Sequence, residues 1–553
     1  MSKIPEEFLP PKELWPEYTV PEEFGPLPEK INLGYEFLDR NIEKGFGNKV
    51  AVKFQDKEVT YNELKRDSDK LANSLKKLGI GEQDRVALRG TNTPESIITN
   101  FAIMKIGAIP VPLSPLWSHH EIAYAVNNSV SSAIFVSVPL LPAVEKAAPS
   151  FDSKIPIIVI GGNASETEAK GLYSYKNLVD SGDENLEYTY VSPEDIGVLL
   201  YTSGTTGAPK GAVHFAKELI YEADIVGKYV WKFGESDVLG GAAPVSFAAG
   251  YGTFAIIPFR NSGTISLIGK FKPEEMMETI QKHKITILTG LPTAYRKLLE
   301  MKDFDSYDIS SVRMCTTGGD ALGVETFNAW KEKTGIQIIE GLGATEMVHL
   351  VTSNAVAKTP NPRSIGLALP GFKLAIFKET GEICTTCTHP GEIGLLGMKG
   401  PTGALYWRPY IDNGRLLKEQ QARVKNGWNI LGDAVYQDLD GFVYFVARDS
   451  DVIKSSGYRI GPAEVEDVIK KHEKVKDCGV VGVPDPVMGE KTKAFIVLEE
   501  GVEPSDELTQ EILDFCKEYI AVYKLPREVE YIDALPRTAT GKLLRRMLRN
   551  RQK

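Results

Sequence analysis

Cysteine is scarce in this chain of 553 residues, which contains only five. A small, odd number of cysteines in a chain without a secretory signal favours reduced thiols over a disulfide framework. Cys384, Cys387 and His389 have the spacing of half a zinc site. No second CxxC or HxxxH pair completes such a site, so the pattern predicts ordinary loop thiols and no structural zinc.

Basic residues are in the minority, since 64 Lys and Arg stand against 74 Asp and Glu and leave a net charge of −10. That sign disfavours a protein that coats nucleic acid or an anionic membrane, so we expect no nucleic-acid partner. No apolar run approaches the roughly 18 residues of a membrane span, and the amino terminus lacks the apolar region of a signal peptide. We therefore expect a soluble, cytoplasmic protein without a membrane span, either a monomer or a homo-oligomer.

The residues that are present predict an α/β fold with more than one domain. The length exceeds what a single core usually supports, and 42% hydrophobic residues suffice to fill several cores. Thr60 and Glu63 have capping-box spacing at the start of an amphipathic helix that Gly79 ends. Apolar segments typical of buried parallel strands recur between helical patterns: DRVALRG, GAIPVPL, SAIFVS, IPIIVIGG, GVLLYT and ITILTG.

Two loops carry the clearest functional signal. Residues 200–214 read LYTSGTTGAPKGAVH, and residues 536–544 read PRTATGKLL. Hydroxyls, backbone N–H groups and a lysine in a glycine-rich loop suit the phosphates of a nucleotide, because glycine lets the backbone approach an anion. The first loop follows GVLLYT, and ligands of parallel sheets bind beyond the carboxyl ends of the strands.

Two better-known nucleotide motifs do not fit. Lys210 is followed by Gly211, which breaks the Walker A pattern of P-loop NTPases. The run from Gly341 to Glu346 lacks the third glycine of a dinucleotide fingerprint. Around residue 440 the sequence becomes rich in turns, with NGW and LDG followed by ARDSDVIKSSGYRIGP. We therefore predict a domain junction at Ala447–Asp451.

Five motifs together resemble the adenylate-forming superfamily of acyl-CoA synthetases, luciferases and nonribosomal adenylation domains. In chain order they are YTSGTTGAPKG, GLGATE, NGWNILGD, ARDSDVIKSSGYRIGP and PRTATGK. TEMVHLVTSN is similar to the benzoate-CoA ligase branch, and SSGYRIGP is similar to medium-chain acyl-CoA synthetases. The resemblance implies a large amino-terminal AMP-binding and acid-binding domain of stacked sheets and helices, residues 1–447, and a small mobile α+β domain, residues 448–553.

The resemblance implies two half reactions at one site. A carboxylic acid and Mg-ATP form an acyl-adenylate with loss of pyrophosphate, and the thiol of coenzyme A then displaces AMP to give a thioester. The implied partners and cofactors are a small carboxylic acid, ATP, Mg²⁺ and coenzyme A.

The same resemblance assigns the nucleotide-binding residues. Thr345 matches the residue that binds the α-phosphate, and Glu346 matches the Mg²⁺ ligand, which suits the preference of Mg²⁺ for hard oxygen atoms. The positions that match the β- and γ-phosphate loop are Thr202, Ser203, Gly204, Thr205, Thr206 and Lys210. The positions that match the surroundings of the adenine are Gly318, Gly319, Asp320, Gly341 and Leu342. The family usually has Glu at the position of Asp320 and Tyr at that of Leu342.

Ribose binding and catalysis are assigned in the same way. Asp433 matches the aspartate that accepts hydrogen bonds from the ribose hydroxyls, and Arg448 matches the arginine that supports the ribose. Lys542 matches the adenylation lysine, whose charge offsets the repulsion between the attacking carboxylate and the α-phosphate.

Lys542 would occupy the face of the adenylate that the thiol must approach, so the small domain is expected to rotate between the two steps. The hinge matches Ser450, where the family usually has Asp or Lys. After rotation, the loop of Gly457, Tyr458 and Arg459 would line the pantetheine tunnel.

The residues that match the acyl pocket are Phe247, Gly343, Met347, Val348 and His349. Acetate-type members have Trp where this chain has Gly343, so we expect room for a longer or ring-bearing acid, such as a hydroxybutyrate, a branched acid or a benzoate-like acid. His349 fits a substrate contact and a core histidine equally well.

Two alternatives remain beside the acyl-CoA ligase. One is an enzyme that transfers the acyl group to a free-standing carrier protein, since no carrier domain follows Lys542. The other is a non-catalytic nucleotide or acyl sensor, which the presence of Lys210, Glu346, Asp433, Arg448 and Lys542 disfavours.

Overall fold

A computed structural model describes residues 4–202, 208–269, 271–319, 321–390, 392–455, 458–537 and 543–551. The strands, in chain order, are β1 (Val50–Phe54), β2 (Lys57–Thr60), β3 (Arg85–Arg89), β4 (Ile109–Pro112), β5 (Ser131–Ser137), β6 (Ile157–Ile160), β7 (Tyr173–Ser174), β8 (Ile196–Thr202), β9 (Lys210–Phe215), β10 (Val238–Gly241), β11 (Thr264–Leu267), β12 (Ile287–Thr289), β13 (Met314–Thr317), β14 (Ile338–Glu340), β15 (Thr352–Ser353), β16 (Leu367–Ala368), β17 (Lys373–Phe377), β18 (Gly394–Lys399), β19 (Leu405–Tyr406), β20 (Val424–Lys425), β21 (Trp428–Gln437), β22 (Val443–Arg448), β23 (Ile453–Ser455), β24 (Tyr458–Ile460), β25 (Val475–Asp485), β26 (Gly489–Leu498) and β27 (Glu528–Tyr531).

The α-helices, in chain order, are α1 (Tyr61–Lys77), α2 (Pro94–Lys105), α3 (His119–Ser129), α4 (Leu141–Ala147), α5 (Ala164–Ala169), α6 (Tyr175–Asp180), α7 (Ala216–Ile225), α8 (Ala248–Tyr251), α9 (Ile257–Arg260), α10 (Pro273–His283), α11 (Pro292–Leu299), α12 (Val324–Thr334), α13 (Ile411–Arg423), α14 (Pro462–Ile469), α15 (Asp506–Lys517) and α16 (Arg545–Asn550). π-Helical turns lie at Tyr35–Asp39, Ile42–Phe46, Val226–Trp231 and Gly252–Ile256. Among the short 3₁₀ turns, Thr345–Met347 matters most for the site.

The predicted capping box starts α1. The Thr60 side chain accepts a hydrogen bond from the Glu63 backbone, and the Glu63 carboxylate accepts one from the Thr60 N–H. These contacts satisfy two of the backbone donors that the start of a helix leaves unpaired. Gly79 follows the helix with a φ of +81°, a conformation that glycine adopts at little cost.

Two parallel sheets confirm the α/β fold. One has the order β4-β3-β5-β6-β7 with every pair parallel. The other has the order β14-β13-β12-β10-β11-β1-β2 and is parallel except for the terminal β1–β2 pair. All but one of the apolar segments named above contribute strands to these two sheets.

GVLLYT is the exception, and its predicted parallel pairing is wrong. It forms β8, which pairs antiparallel with β9 in a three-stranded sheet of order β19-β9-β8. Residues of β8 are buried along almost its whole length, so the polar alternation that usually marks an antiparallel strand is missing. The loop between Thr202 and Lys210 therefore connects two neighbouring antiparallel strands.

The described residues divide into two compact units. The first comprises residues up to Pro360, Gly366–Lys373 and Lys399–Asn429. The second comprises Asn361–Ile365, Leu374–Met398 and the residues from Ile430 onward. The second unit thus contains more of the chain than residues 448–553, and the functional junction at residues 447–448 stays a prediction.

The second unit has its own sheet and core. Strands β24, β23, β26 and β25 form a sheet in that order, and β27 pairs in parallel with β26. Helices α14 and α15 bury apolar residues in a cluster with this sheet, among them Val465, Ile469 and Ile512. The prediction of a smaller α+β region in the carboxyl-terminal part of the chain is confirmed.

The expectation of reduced loop thiols is wrong for one pair of cysteines. Cys384 and Cys387 form a disulfide, whereas Cys315, Cys478 and Cys516 are free and buried. Two cysteines three residues apart in one loop can meet without any long-range constraint, which the count of cysteines does not reveal. The described residues contain no cluster of three or more metal-binding side chains.

Among the described residues, no helix combines the length and the apolar character needed to cross a bilayer.

Candidate active site

Two turns meet at the carboxyl edge of the seven-stranded sheet. Gly318 and Gly319 follow β13, and Gly341 follows the neighbouring parallel strand β14. A Cβ atom on Gly318 would lie 3.0 Å from the carbonyl oxygen of Gly341, and Gly319 has a φ of +84°. Glycine suits both positions, because it has no Cβ atom to crowd the carbonyl and adopts positive φ at little cost, so backbone atoms form this edge of the sheet, where the adenine is predicted to bind. Asp320 lies outside the described residues.

The two ends of the phosphate loop lie opposite each other on neighbouring strands. Thr202 ends β8, Lys210 begins β9, and the two residues are register partners. Ser203, Gly204, Thr205 and Thr206 lie outside the described residues. The Lys210 side chain is largely buried, and its Nζ lies 2.7 Å from Oε2 of Glu419 on α13.

Tyr406 connects the phosphate-loop lysine with the predicted magnesium ligand. Its hydroxyl donates a hydrogen bond of 3.1 Å to Oε1 of Glu346, and Nζ of Lys210 lies 5.4 Å from the centre of its ring. Burial, and then the negative charge of Glu346, raise the pKa of Tyr406 well above its usual value. The phenol therefore keeps its proton and holds the Glu346 carboxylate in one orientation.

Glu346 fits the requirements of a magnesium ligand. It is half-buried in the 3₁₀ turn Thr345–Met347, and its carboxylate is oriented by the Tyr406 hydroxyl. Hard carboxylate oxygens are the ligands that Mg²⁺ prefers, and Mg²⁺ bound to nucleotide phosphates usually needs only one or two carboxylates from the protein.

The segment after Glu346 returns to the edge of the sheet. Gly343 and Leu350 form an antiparallel bridge, and the N–H of Val351 donates to the carbonyl of Leu342 at 2.8 Å. A Cβ atom on Gly343 would lie 2.0 Å from the carbonyl oxygen of His349. The glycine is thus required by a close backbone approach, and the space in the direction of its missing side chain is filled. Any additional room for the acid must come from other residues.

His349 lies inside the first unit. Its Nε2 is 3.1 Å from the hydroxyl of Thr253, and its ring packs edge-to-face on Trp231 with centroids 5.7 Å apart. Burial lowers the pKa of His349 to about 4, partly offset by the backbone of Ala249. The imidazole is therefore neutral near pH 7.

The other predicted pocket residues flank this histidine. Met347 and Val348 are fully buried, and the Met347 carbonyl accepts a hydrogen bond from the Thr402 hydroxyl at 3.2 Å. Phe247 is half-buried at the start of α8. The helical segment that follows passes so close to His349 that a Cβ atom on Gly252 would lie 2.4 Å from the ring.

The predicted ribose residues pair within the second unit. Asp433 on β21 and Arg448 on β22 are register partners, and Nη1 of Arg448 lies 3.1 Å from Oδ1 of Asp433. Asp433 is almost fully buried. A buried carboxylate is held in place by such a pairing, which leaves it preorganised as an acceptor for hydroxyl groups.

The predicted hinge and tunnel residues follow directly. Ser450 is exposed and is followed by Asp451, whose N–H donates to the Arg448 carbonyl at 2.8 Å. Tyr458 and Arg459 lie on β24, paired in register with β23. Gly457 and Lys542 lie outside the described residues, so their assignment rests on the motifs.

The sequence reasoning missed several side chains that support the site. His214 Nε2 lies 2.8 Å from the Thr345 carbonyl oxygen, and His214 Nδ1 lies 3.0 Å from Glu218. One signal was available, because Lys210 and His214 are four residues apart on a strand and therefore point to the same face. No local pattern indicates Tyr406 or Glu419.

Comparison with known proteins agrees with this geometry. The family described as AMP-binding enzyme matches residues 38–407, and the AMP-binding enzyme C-terminal domain matches residues 464–542. The chain is 32% identical over 555 residues to the long-chain-fatty-acid–CoA ligase of Bacillus subtilis (strain 168), with 96% of each chain covered. It is 31% identical over 530 residues to the benzoate–CoA ligase of Thauera aromatica, with 95% of this chain and 97% of the relative covered.

The fold has a counterpart among solved structures. The crystal structure of the anthranilate CoA ligase AuaEII in complex with anthranoyl-AMP matches with a TM-score of 0.86 and 32% identity, and the match covers 95% of this chain and 98% of that chain. The motifs, the two parallel sheets and the matched regions agree over nearly the whole chain. The chain therefore belongs to the AMP-binding enzyme family of adenylate-forming acyl-CoA and aryl-CoA ligases.

Proposed function

We propose that the protein is an AMP-forming acyl-CoA ligase for a small to medium carboxylic acid. The observation that supports this most is that Lys210 and Glu346 both contact Tyr406 in the first unit, with Thr345 next to Glu346 in the same turn. A cation, a half-buried hydroxyl residue and a hard carboxylate next to each other suit the phosphates and Mg²⁺ of ATP. Short hydroxy acids such as hydroxybutyrates, branched acids and benzoate-like acids are the candidate substrates.

Each residue then has a defined role in the proposed reaction. Lys210 holds the β- and γ-phosphates together with Ser203, Thr205 and Thr206, and Thr345 holds the α-phosphate. Bound Mg²⁺ would neutralise charge on the phosphates, with Glu346 as its protein ligand. Asp433 and Arg448 hold the ribose, and Lys542 brings the acid carboxylate and the α-phosphorus together.

The residues predicted to form the acid pocket suit an uncharged acyl group. Met347 and Val348 are buried and apolar, and His349 is uncharged near pH 7. The side-chain contacts of His349 are with the Thr253 hydroxyl and the Trp231 ring, and neither could neutralise a second negative charge on the substrate. Monocarboxylic acids are therefore preferred over dicarboxylic acids in our proposal.

The decisive experiment separates the two half reactions. Purified protein is assayed for acid-dependent release of pyrophosphate and for thioester formation with coenzyme A across acetate, butyrate, 4-hydroxybutyrate, hexanoate and benzoate. Lys542→Ala should abolish adenylation, a loss of at least ~10²-fold, and should leave thioester formation from supplied acyl-AMP largely intact. Adenylate formation that is unaffected by coenzyme A would instead favour a carrier protein as the acyl acceptor. Saturable ATP binding without turnover of any acid would favour a sensor.

A further inference from the structure

The segment that carries the predicted nucleotide and acid contacts contains a strained turn. Val348 has φ 65° and ψ −61°, and the His349 N–H donates to the Met347 carbonyl at 2.7 Å. This is a three-residue γ-turn with positive φ, a conformation that is rare and unfavourable for a β-branched residue. Such a conformation persists only where the surrounding structure holds it.

Two buried side chains hold the ends of this segment. His214 Nε2 lies 2.8 Å from the Thr345 carbonyl oxygen, and the Leu350 N–H donates to Oε1 of Glu222 at 2.7 Å. Both His214 and Glu222 are 0% exposed. They belong to β9 and the adjoining helix α7, so one continuous stretch of chain contacts both sides of the strained turn.

The proton arrangement at His214 follows from its two neighbours. The Thr345 carbonyl can only accept a hydrogen bond, so Nε2 of His214 carries a proton. The other ring nitrogen, Nδ1, lies 3.0 Å from Oε2 of Glu218, which is also 0% exposed. One further proton makes the contact between Nδ1 and Glu218 a hydrogen bond, whether Nδ1 or the Glu218 carboxyl group carries it. In both cases Nε2 still donates to the Thr345 carbonyl. Glu218 thereby orients the imidazole ring.

Among the described residues, no cation pairs with Glu222. Burial, and then the nearby Glu218, raise the pKa of Glu222 well above its usual value, despite the hydrogen bond from Leu350. Its Oε2 is buried and has no hydrogen-bond partner among the described residues. Burying a carboxyl group with one oxygen unsatisfied is costly. Packing alone would be served better by an apolar side chain of similar size.

We propose that His214 and Glu222 are positioning residues that hold residues 345–350 in the strained turn. Glu218 acts through His214. By holding both ends, they keep Thr345 and Glu346 in place for the nucleotide and Mg²⁺, and they keep Met347–His349 in place for the acid. This inference rests on the proposed function for its kinetic consequences, whereas the contacts themselves can be tested without any activity.

The first test measures the segment directly by hydrogen–deuterium exchange of peptides that cover residues 341–352. In Glu222→Leu and His214→Leu, exchange in this segment should become about tenfold faster, because the ends are released. Glu222→Gln retains an acceptor for the Leu350 N–H, and His214→Gln retains an amide donor for the Thr345 carbonyl. These two matched controls should therefore exchange like the wild type. Unchanged exchange in both leucine variants would overturn the proposal, whether or not the protein is a ligase.

The second test measures acid-dependent ATP–pyrophosphate exchange. In the leucine variants kcat should fall about tenfold to hundredfold with a rise in the half-saturating Mg²⁺ concentration, because misplacing catalytic groups by about 1 Å has effects of this size. The glutamine variants should recover most of the rate. A purely structural role would instead reduce the amount of folded enzyme and leave the kcat and Mg²⁺ dependence of the folded fraction unchanged, which would overturn the proposal.

A third variant isolates the strain at Val348. Glycine adopts positive φ easily, so Val348→Gly should make the segment less dependent on the two positioning residues. The loss caused by Glu222→Leu should therefore be several-fold smaller in the Val348→Gly background than in the wild-type background. Equal losses in both backgrounds would contradict the role of the strained turn. If the wild type itself shows no acid-dependent ATP–pyrophosphate exchange, the proposed function fails. The hydrogen–deuterium exchange result alone then decides whether His214 and Glu222 are positioning residues.

Discussion

Lys210 has a carboxylate partner within the protein itself. Its Nζ lies 2.7 Å from Glu419, and both residues are at least half-buried by their surroundings. The phosphates of ATP would have to replace this carboxylate, since one ammonium group cannot serve both at full strength. Glu419 thus neutralises the buried cation, and the competition with the phosphates is expected to reduce the affinity for ATP.

Changes at Lys210 and at Glu419 should shift the KM for ATP in opposite directions. Glu419→Gln should lower the KM for ATP about threefold to tenfold, because a partly exposed ion pair contributes about 1 kcal/mol. Lys210→Ala should raise KM and reduce kcat by ~10²-fold in acid-dependent pyrophosphate exchange. Lys282→Ala, which removes an exposed lysine paired with Asp56, is the control and should behave as the wild type. A higher KM in Glu419→Gln would mean that Glu419 assists phosphate binding.

The buried neutral ring of His349 makes stability dependent on pH. The pKa of His349 is about 4 in the folded protein against 6.5 for an ordinary histidine. As pH falls below 6.5, His349 takes up a proton in the unfolded chain before it does so in the folded protein. The free energy of unfolding is therefore at its full value above pH 6.5 and decreases as pH falls toward 4. We expect His349 to account for a loss of about 2 kcal/mol in the free energy of unfolding between pH 7.5 and pH 5.

Urea unfolding of the wild type and of His349→Gln at these two pH values checks this expectation. The glutamine variant has no group that titrates in this range at position 349, so its stability should fall less than that of the wild type. The difference between the two falls should be about 2 kcal/mol. Identical pH dependence in both proteins would show that the ring is not buried in the neutral form.

Individual elements show which local patterns translate into structure. The capping box of α1 was predicted correctly, because it depends on residues three apart. The pairing of β8 was predicted wrongly, because a strand buried on both faces looks the same in either sheet type. Gly343 was interpreted as empty space, whereas it lies against the backbone of His349. In both errors the deciding contact is with backbone that the local pattern does not identify.

The Cys384–Cys387 disulfide permits a direct chemical test. Thiol titration of denatured, non-reduced protein should find three free thiols, from Cys315, Cys478 and Cys516. The double change Cys384→Ser and Cys387→Ser should lower the free energy of unfolding by about 2 kcal/mol or less, because the closed loop is very short. Five free thiols would restore the expectation of reduced cysteines.

At the scale of the whole molecule, we predict that the small domain rotates at Ser450 between the two half reactions. This exposed residue follows the Asp433–Arg448 pair, and the next residue, Asp451, forms an ion pair of 3.0 Å with Arg549 on α16. The basic residues at the end of the chain are thus partly neutralised by carboxylates of the same unit, including Glu466, which pairs with Arg545. These contacts link the predicted hinge to the carboxyl-terminal helix.

Restricting the backbone at the hinge should separate the two half reactions. Ser450→Pro limits φ at this position and the conformation of the preceding residue. We expect acid-dependent pyrophosphate release to change by less than about threefold, while thioester formation falls roughly tenfold or more. Ser450→Ala is the control and should leave both steps intact. Equal losses in both steps of Ser450→Pro would contradict rotation at this residue.

The sequence by itself determined the features that depend on near neighbours. Capping boxes, apolar segments and glycine-rich loops are contiguous in the chain, so their chemistry can be recognised before any folding is considered. The motifs also identified the family, and the family resemblance assigned Lys542 and the hydroxyl residues of the phosphate loop. These residues could be assigned because each lies within a motif that is continuous in the sequence.

Only the tertiary structure decided which side chains support the site. His214 and Thr345 are 131 residues apart in the chain, and Lys210 and Glu419 are 209 residues apart. The strained turn at Val348 is likewise held by contacts from β9 and α7. No local pattern encodes such contacts, because they arise when sheets and helices pack against each other and bring distant residues to within hydrogen-bond distance.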